Sequence, residues 1–365
     1  MLALPSLLAC SKAPAPDEPP ALDRQALAAV ARDAGVPRER LARSIAALFA
    51  DAGAGKTDAL LVLHGGRIVA ERYGDGLARD TRLPGWSMAK SVTGLMIGLL
   101  VSDGRLRLDE TPPVPAWERS GDPRGEITLR QLLQMRSGLR HTEVSDPAYD
   151  SDTTRMLLLD GRDNTAAYAE MQPLEAEPGR KFEYSSATTA ILSDIAARSL
   201  TDSGDPAIRR GLVSEYLRNR LFEPLGMRSM VAEFDAAGTL VGSSMIHGTA
   251  RDWARFGEFL RHGGSVSGAQ LIPHGWIEFM TAPSPRNSAY GAQIWLNRRT
   301  STGEQRLFPG KAPASLFACV GDFGQYLIVS PAQQLTLVRL GTSSADQQEA
   351  LRGRLGAIVA QFPVR

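Results

Sequence analysis

Ser87 and Lys90 stand three residues apart in Ser87-Met88-Ala89-Lys90, at the head of an apolar stretch that runs to Val101. At the start of a helix, residues three apart share a face, so Ser87 Oγ and Lys90 Nζ come within reach of each other. A serine hydroxyl is a weak nucleophile and needs an adjacent base. Lysine can serve once its pKa falls from about 10.4 toward about 7–8, a disfavouring of the ammonium by roughly 4 kcal/mol that burial can supply. Trp86 and the apolar helix offer such burial, so the sequence predicts a depressed Lys90. Ser-x-x-Lys alone is common by chance, and the plain alternative is a capping serine beside a solvated lysine.

Three further segments supply context: Gln131-Leu132-Leu133-Gln134-Met135-Arg136-Ser137-Gly138-Leu139, Glu177-Pro178-Gly179-Arg180-Lys181-Phe182-Glu183-Tyr184-Ser185-Ser186, and Phe222-Glu223-Pro224-Leu225-Gly226-Met227. Taken with Ser87-x-x-Lys90, they resemble the serine β-lactamase/penicillin-binding-protein superfamily. In texture they are closest to its class C-like esterases and 6-aminohexanoate-dimer hydrolases. The resemblance runs from about Leu60 to Leu340. It implies a serine hydrolase without cofactor or metal, acting on a small-molecule ester or amide through an acyl-enzyme.

The same resemblance implies the remaining site. Tyr184 is the motif tyrosine, a proton relay between Ser87 and the leaving group; without its flanks it would read as a core tyrosine. Ser186 replaces the family asparagine, and its shorter hydroxyl can bond Lys90 but reaches a substrate amide less well. Cys319-Val320-Gly321 stands where Lys-Thr-Gly is expected, so the usual carboxylate anchor is missing. The backbone N–H of Asp322, just after Gly321, can still pair with that of Ser87 as an oxyanion hole, because that role needs no particular side chain. The Asp322 carboxylate must then point away from the developing charge. Cys319 reads as a small buried hydrophobe. Trp86 and His247 complete the expected substrate-contacting set, His247 through the Gly/Ser-rich segment 242–248, with a surface histidine as its alternative.

Ester or small-amide hydrolysis is favoured over β-lactamase or D,D-peptidase activity by the missing Lys-Thr pair and by Ser186. A catalytically weak cell-envelope binding lipoprotein is the alternative from another class. Gly85-Trp86-Ser87-Met88-Ala89 partly mimics the α/β-hydrolase elbow, but Thr81-Arg82-Leu83-Pro84 is a poor strand to precede it. The five histidines show no metal-ligand spacing.

These residues need a frame. Leu60–Leu63, Gly65-Gly66 and Ile68–Ala70 read as a β-hairpin, while Ala289–Leu296, Leu316–Val320, Gln325–Ser330 and Leu335–Leu340 read as strands. Helical periodicity covers Ala26–Ala50, Ser87–Val101 and Ala345–Gln361, Thr128-x-x-Gln131 fits a capping box, and Thr153–Met280 is mostly helical. The expectation is an α/β (α+β) fold: one antiparallel sheet from N- and C-terminal strands flanked by helices, with an α-rich inserted lobe. The body is expected over 26-110 and 285-365 and the lobe over 111-284, following a tether at 1-25.

The 365 residues are 43% hydrophobic, enough for a sizeable core, and 41 Lys+Arg nearly balance 40 Asp+Glu. No basic stripe stands out, which argues against nucleic acid as a partner. The stretch Val92–Val101 falls short of the roughly 18 apolar residues of a spanning helix and reads as buried. Leu7-Leu8-Ala9-Cys10 and the Pro/Ala-rich stretch after it resemble a bacterial lipoprotein signal and tether. The charged region that should precede such a signal is missing, so either the true start lies upstream or the likeness is fortuitous. If real, it implies a periplasmic or cell-envelope protein held to the membrane through a lipidated Cys10.

Overall fold

The computed structural model describes residue 22, residues 24–300 and residues 306–365. Cys10 and the expected tether up to residue 21 lie outside the described residues, and the first helix already begins at Arg24. The strands are β1 (Lys56–His64), β2 (Arg67–Tyr73), β3 (Leu83–Pro84), β4 (Val231–Ala232), β5 (Ile246–Gly248), β6 (Ser265–Val266), β7 (Ala269–Gln270), β8 (Trp295–Leu296), β9 (Phe317–Gly321), β10 (Gln325–Ser330) and β11 (Leu335–Thr342). The helices are α1 (Arg24–Ala28), α2 (Arg38–Ala50), α3 (Ala89–Ser102), α4 (Leu129–Leu133), α5 (Asp152–Leu158), α6 (Thr165–Glu170), α7 (Ser186–Leu200), α8 (Pro206–Leu217), α9 (Ala250–Arg261), α10 (His274–Thr281) and α11 (Gln348–Val359).

Among the described residues six strands form one antiparallel sheet, ordered β2-β1-β11-β10-β9-β8. The N-terminal hairpin turns at Gly65 (φ 58°) and Gly66 (φ 79°), the left-handed pair that a two-residue hairpin loop demands. Its strand β1 pairs with β11, Leu60 opposite Arg339 and Val62 opposite Leu337, so the two ends of the chain share one sheet. The period-2 alternation then sends Leu61, Leu63, Leu327, Val338 and Leu340 to one face, into a core with α3, α7 and α9. Leu60, Val62, Ile328, Leu335 and Leu337 face the other side, beneath α2 and α11. Helix α3, apolar on every side, is buried from Ala89 to Leu100 as such a helix must be.

Three sequence expectations are revised. The periodicity over Ala26–Ala50 is two helices, because Gly35 adopts φ 72° and Pro37 disfavours helix in the residue before it. The strand expected over Ala289–Leu296 shrinks to Trp295–Leu296, since Gln293 takes φ 60° and its amide is drawn to Leu133 O instead of a neighbouring strand. Helix α9, assigned from sequence to the inserted lobe, lies on the sheet: a Cβ on Gly257 would sit 2.6 Å from Leu327 Cδ1 and Thr336 Cγ2.

Candidate active site

The turn into α3 presents Ser87. Pro84 of β3 pairs with His247 of β5, and Gly85 N donates to Ile246 O at 3.0 Å. A Cβ on Gly85 would lie 2.4 Å from the Trp253 ring, so only glycine fits there. Trp86 follows with φ 47°, a left-handed conformation that costs a bulky residue about 1–3 kcal/mol and clusters at functional turns. A single 3₁₀ turn over Trp86–Met88 then leads into α3, with Ser87 buried at 5% exposure.

Lys90 is 1% exposed, and its ammonium meets three acceptors: Ser87 Oγ at 3.1 Å, Ser186 Oγ at 2.9 Å and Ser243 O at 3.1 Å. It also stands 4.9 Å above the centre of the Tyr184 ring. Tyr184 packs against Tyr290 and Trp295, which sets its phenol close to Ser87 and Lys90. One residue on, Ser185 caps α7 by accepting from Thr188 N, which places Ser186 in the helix's first turn. The structure therefore brings together Ser87, Lys90, Tyr184 and Ser186. Ser243 joins them through its carbonyl, from the Gly/Ser-rich segment picked out in the sequence.

Glu143 was not found from sequence. Its Oε1 accepts from Ser186 Oγ at 2.6 Å, and its Oε2 meets Ser186 N at 2.7 Å, His141 Nε2 at 2.7 Å and Thr153 Oγ1 at 3.0 Å. Burial opposes its charge, but Lys90, His141 and Ser186 overcome that and hold the carboxyl down to about 2. Its place at the N-terminus of α7 favours a negative charge further. Nothing in Arg140-His141-Thr142-Glu143 marks this residue out, because its partners come from distant segments.

The assembled site also overturns the expected depression of Lys90. Burial does push the ammonium down, but its interactions with Tyr184, Glu143 and Asp322 outweigh it, and the lysine is raised above its ordinary value. Tyr184 is raised as well, chiefly by burial, with Lys90 pulling the other way. The resting site thus holds an ammonium–carboxylate pair bridged by Ser186, beside a neutral phenol.

The third segment abuts the nucleophile. A Cβ on Gly321 would fall 2.3 Å from Gly85 O and 3.2 Å from Ser87 N, so this glycine permits β9 to press against the turn. Asp322 follows, with its side chain partly open to solvent; the surrounding protein raises its carboxyl, Lys90 lowers it, and Glu143 raises it again. Phe323, at φ 57°, meets the Trp86 ring edge-on with centroids 5.3 Å apart. Cys319 is a buried core side chain, its thiol pushed up to about 12 by burial.

His247 is held by Glu233 Oε1 at 2.5 Å on the small β3-β5-β4 sheet, one strand away from the turn that carries Ser87. The nearby His–acid pair, His141 and Glu143, serves Ser186 and Thr153, whereas Ser87 is served by Lys90. That arrangement is not the His–acid relay of an α/β-hydrolase.

A six-stranded antiparallel sheet under helices, with a serine and lysine one turn apart at the head of a buried helix, is the architecture of the penicillin-recognising serine enzymes. The sequence profile of the β-lactamase family matches residues 44–361, and the chain belongs to that family. It is 28% identical over 303 residues to a 6-aminohexanoate-dimer hydrolase of Paenarthrobacter ureafaciens, covering 78% of this chain and 72% of that one. A Bacillus anthracis protein provisionally named as a 6-aminohexanoate-dimer hydrolase superposes with a TM-score of 0.68 at 24% identity, over 85% of this chain and 81% of its own. A family VIII carboxylesterase shares the fold at a TM-score of 0.61 and 16% identity, covering 86% of this chain and 95% of that one.

Proposed function

We propose that the chain is a serine hydrolase that cleaves a carboxylic ester or small amide through an acyl-enzyme on Ser87. The observation that carries this reading is the buried cluster in which Lys90 touches Ser87 and Ser186 at once, with the Tyr184 ring centre 4.9 Å from its ammonium. In the reactive form the Lys90–Tyr184 unit has first lost one proton to solvent; Ser87 Oγ then attacks the carbonyl carbon and its own proton passes to that unit. The N–H groups of Ser87 and Asp322 hold the oxyanion. Tyr184 returns the proton to the leaving alcohol or amine as the tetrahedral intermediate collapses. Water then attacks the acyl-enzyme by the same relay in reverse, freeing the acid and Ser87.

Esters and small neutral amides suit the site better than penicillins. The strand carries Cys319-Val320-Gly321 where a cationic anchor would stand, and Asp322 and Glu143 add negative charge nearby. The names of the relatives, a 6-aminohexanoate-dimer hydrolase and a carboxylesterase, point to amide and ester hydrolysis. Attachment to the cell envelope through Cys10 belongs to the same reading.

Intact-mass spectrometry after exposure to a fluorophosphonate tests it. One adduct on wild type and none on Ser87→Ala is the expected result. Wild type left unlabelled would move the weight to a binding protein that keeps the fold.

A further inference from the structure

Arg339 lies on β11 in the middle of the sheet, fully buried, where an alternating strand would place an apolar residue. All five of its N–H groups meet oxygens: Nε the hydroxyl of Thr57, Nη2 the carbonyl of Lys56 and the hydroxyl of Ser343, and Nη1 the carbonyls of Phe323 and Gly324 at 3.2 and 2.8 Å. These are neutral acceptors, and burial holds the guanidinium down to about 10. A cation kept in such a place is expensive, and an apolar side chain of similar volume is the cheaper way to fill it. Its contacts show what the cation holds.

Two of those carbonyls belong to the loop that follows Gly321. The carbonyl of Asp322 is taken by the buried Gln325, whose Nε2 donates to it at 3.0 Å and to Gly341 O at 2.6 Å, while its Oε1 accepts from Gly341 N. Ser343 N donates a second bond to Phe323 O at 2.9 Å. Every carbonyl from residue 322 to 324 is thus tied to β11, Gln325 or the residues just after β11. The loop contains a left-handed phenylalanine, a conformation that needs outside restraint to persist. These bonds hold the peptide planes after Asp322, while Gly321, pressed against the Ser87 turn and paired with Gln325, holds the side before it, so the Asp322 amide between them is confined near the Ser87 amide.

We infer that Arg339, seconded by Gln325, is a positioning residue for acylation, setting the 322–324 loop so that its leading amide can receive the oxyanion. The inference rests on the serine-hydrolase reading above. It assigns Arg339 no contact with substrate: it acts through the loop's backbone.

The test measures Ser87 modification by a fluorophosphonate in wild type, Arg339→Met, Arg339→Lys and Gln325→Leu. The final stoichiometry counts intact sites, and the pseudo-first-order rate reports each site's reactivity. Misplacing an oxyanion donor rather than deleting it should cost about 10–100-fold in rate. Full final labelling with rates lower by that factor in Arg339→Met, by less in Arg339→Lys, and by about tenfold in Gln325→Leu is the expected result. A merely structural role predicts fewer labelled molecules at an unchanged rate, and that pattern overturns the inference. Should Arg339→Met not fold, the other two variants decide by the same criterion. Wild type that labels while every folded variant keeps its rate overturns this inference alone; wild type that never labels removes the serine-hydrolase reading and this inference with it.

Discussion

Removing the charge of Glu143 should move the pH dependence of acylation toward acid. Lys90 Nζ and Glu143 Oε1 each hydrogen-bond the same Ser186 Oγ, at 2.9 and 2.6 Å, so they are separated by at most about 5.5 Å. At an effective dielectric near 20, two unit charges at that distance attract by about 3 kcal/mol, which corresponds to roughly 2 pH units. One-fifth of the Glu143 side chain is exposed, so solvent screening reduces this to about 1–2 units. The sign follows from the raised Lys90. Its ammonium is favoured by the carboxylate, so the Lys90–Tyr184 unit loses its proton only at alkaline pH, and the wild-type rate should climb with pH through that range. In Glu143→Gln the ammonium loses its counter-charge and the ascending limb should sit about 1–2 pH units lower. Glu143 stays ionised down to about 2, so in wild type no part of the limb reflects its own titration. The assay is the per-site rate of Ser87 modification from pH 6 to about 10, normalised to final labelling. Profiles that superimpose would refute the claim that Glu143 sets the charge state of Lys90, whatever happens to the plateau.

Two changes in the third segment have opposite expected effects. Gly321→Ala forces a methyl to within 2.3 Å of Gly85 O, backbone against backbone, so β9 must withdraw from the nucleophile turn and the per-site acylation rate should fall by about 100-fold, measured beside the melting temperature. Asp322→Asn removes a negative charge beside the developing oxyanion, and ester acylation should rise by about 3–10-fold at neutral pH. That gain should fade as pH falls through the raised carboxyl of the wild-type Asp322, which is then already neutral. A gain that persists unchanged in acid would exclude charge as its cause.

The features legible in the sequence are the local ones. Ser87 and Lys90 are joined by one helical turn, Thr128 and Gln131 by a reciprocal cap, and Gly65-Gly66 by a two-residue turn, so spacing alone specifies each contact. The outcome was different wherever distant segments meet. Glu143 lies 43 residues before Ser186 and has no motif of its own; only the fold brings it to the head of α7. The expected depression of Lys90 failed for the same reason: burial can be read from an apolar helix, but the opposing groups arrive from three other segments. His247 was placed by the Gly/Ser-rich run before it, yet the residue of that run that touches Lys90 is Ser243, and it does so through its backbone. Arg339 was hidden by its own strand, since a lone arginine among alternating apolar residues reads as a solvent-facing position. Here both faces of the sheet are covered, so that arginine has nowhere exposed to go.

The charge arrangement also bears on which acyl groups the site suits. Lys90 has all three of its N–H groups committed to Ser87, Ser186 and Ser243, so it offers no free donor to a substrate carboxylate. The strand that could present a second cation presents Cys319 and Val320 instead, both packed into the cores on either side of the sheet. An anionic acyl group would therefore approach Asp322 and the field of Glu143, with the charge of Arg306, which also reaches Asp322, as a partial counterweight. A neutral ester meets no such cost: its carbonyl needs only two backbone N–H groups, and its hydrocarbon can lie along Trp86 and Phe323, which meet edge to face just beyond the nucleophile. On the proposed serine-hydrolase reading, a site that lacks the Lys-Thr anchor is thus a physical argument for neutral acyl substrates. It rests on which charges the site contains and leaves the reaction chemistry unchanged.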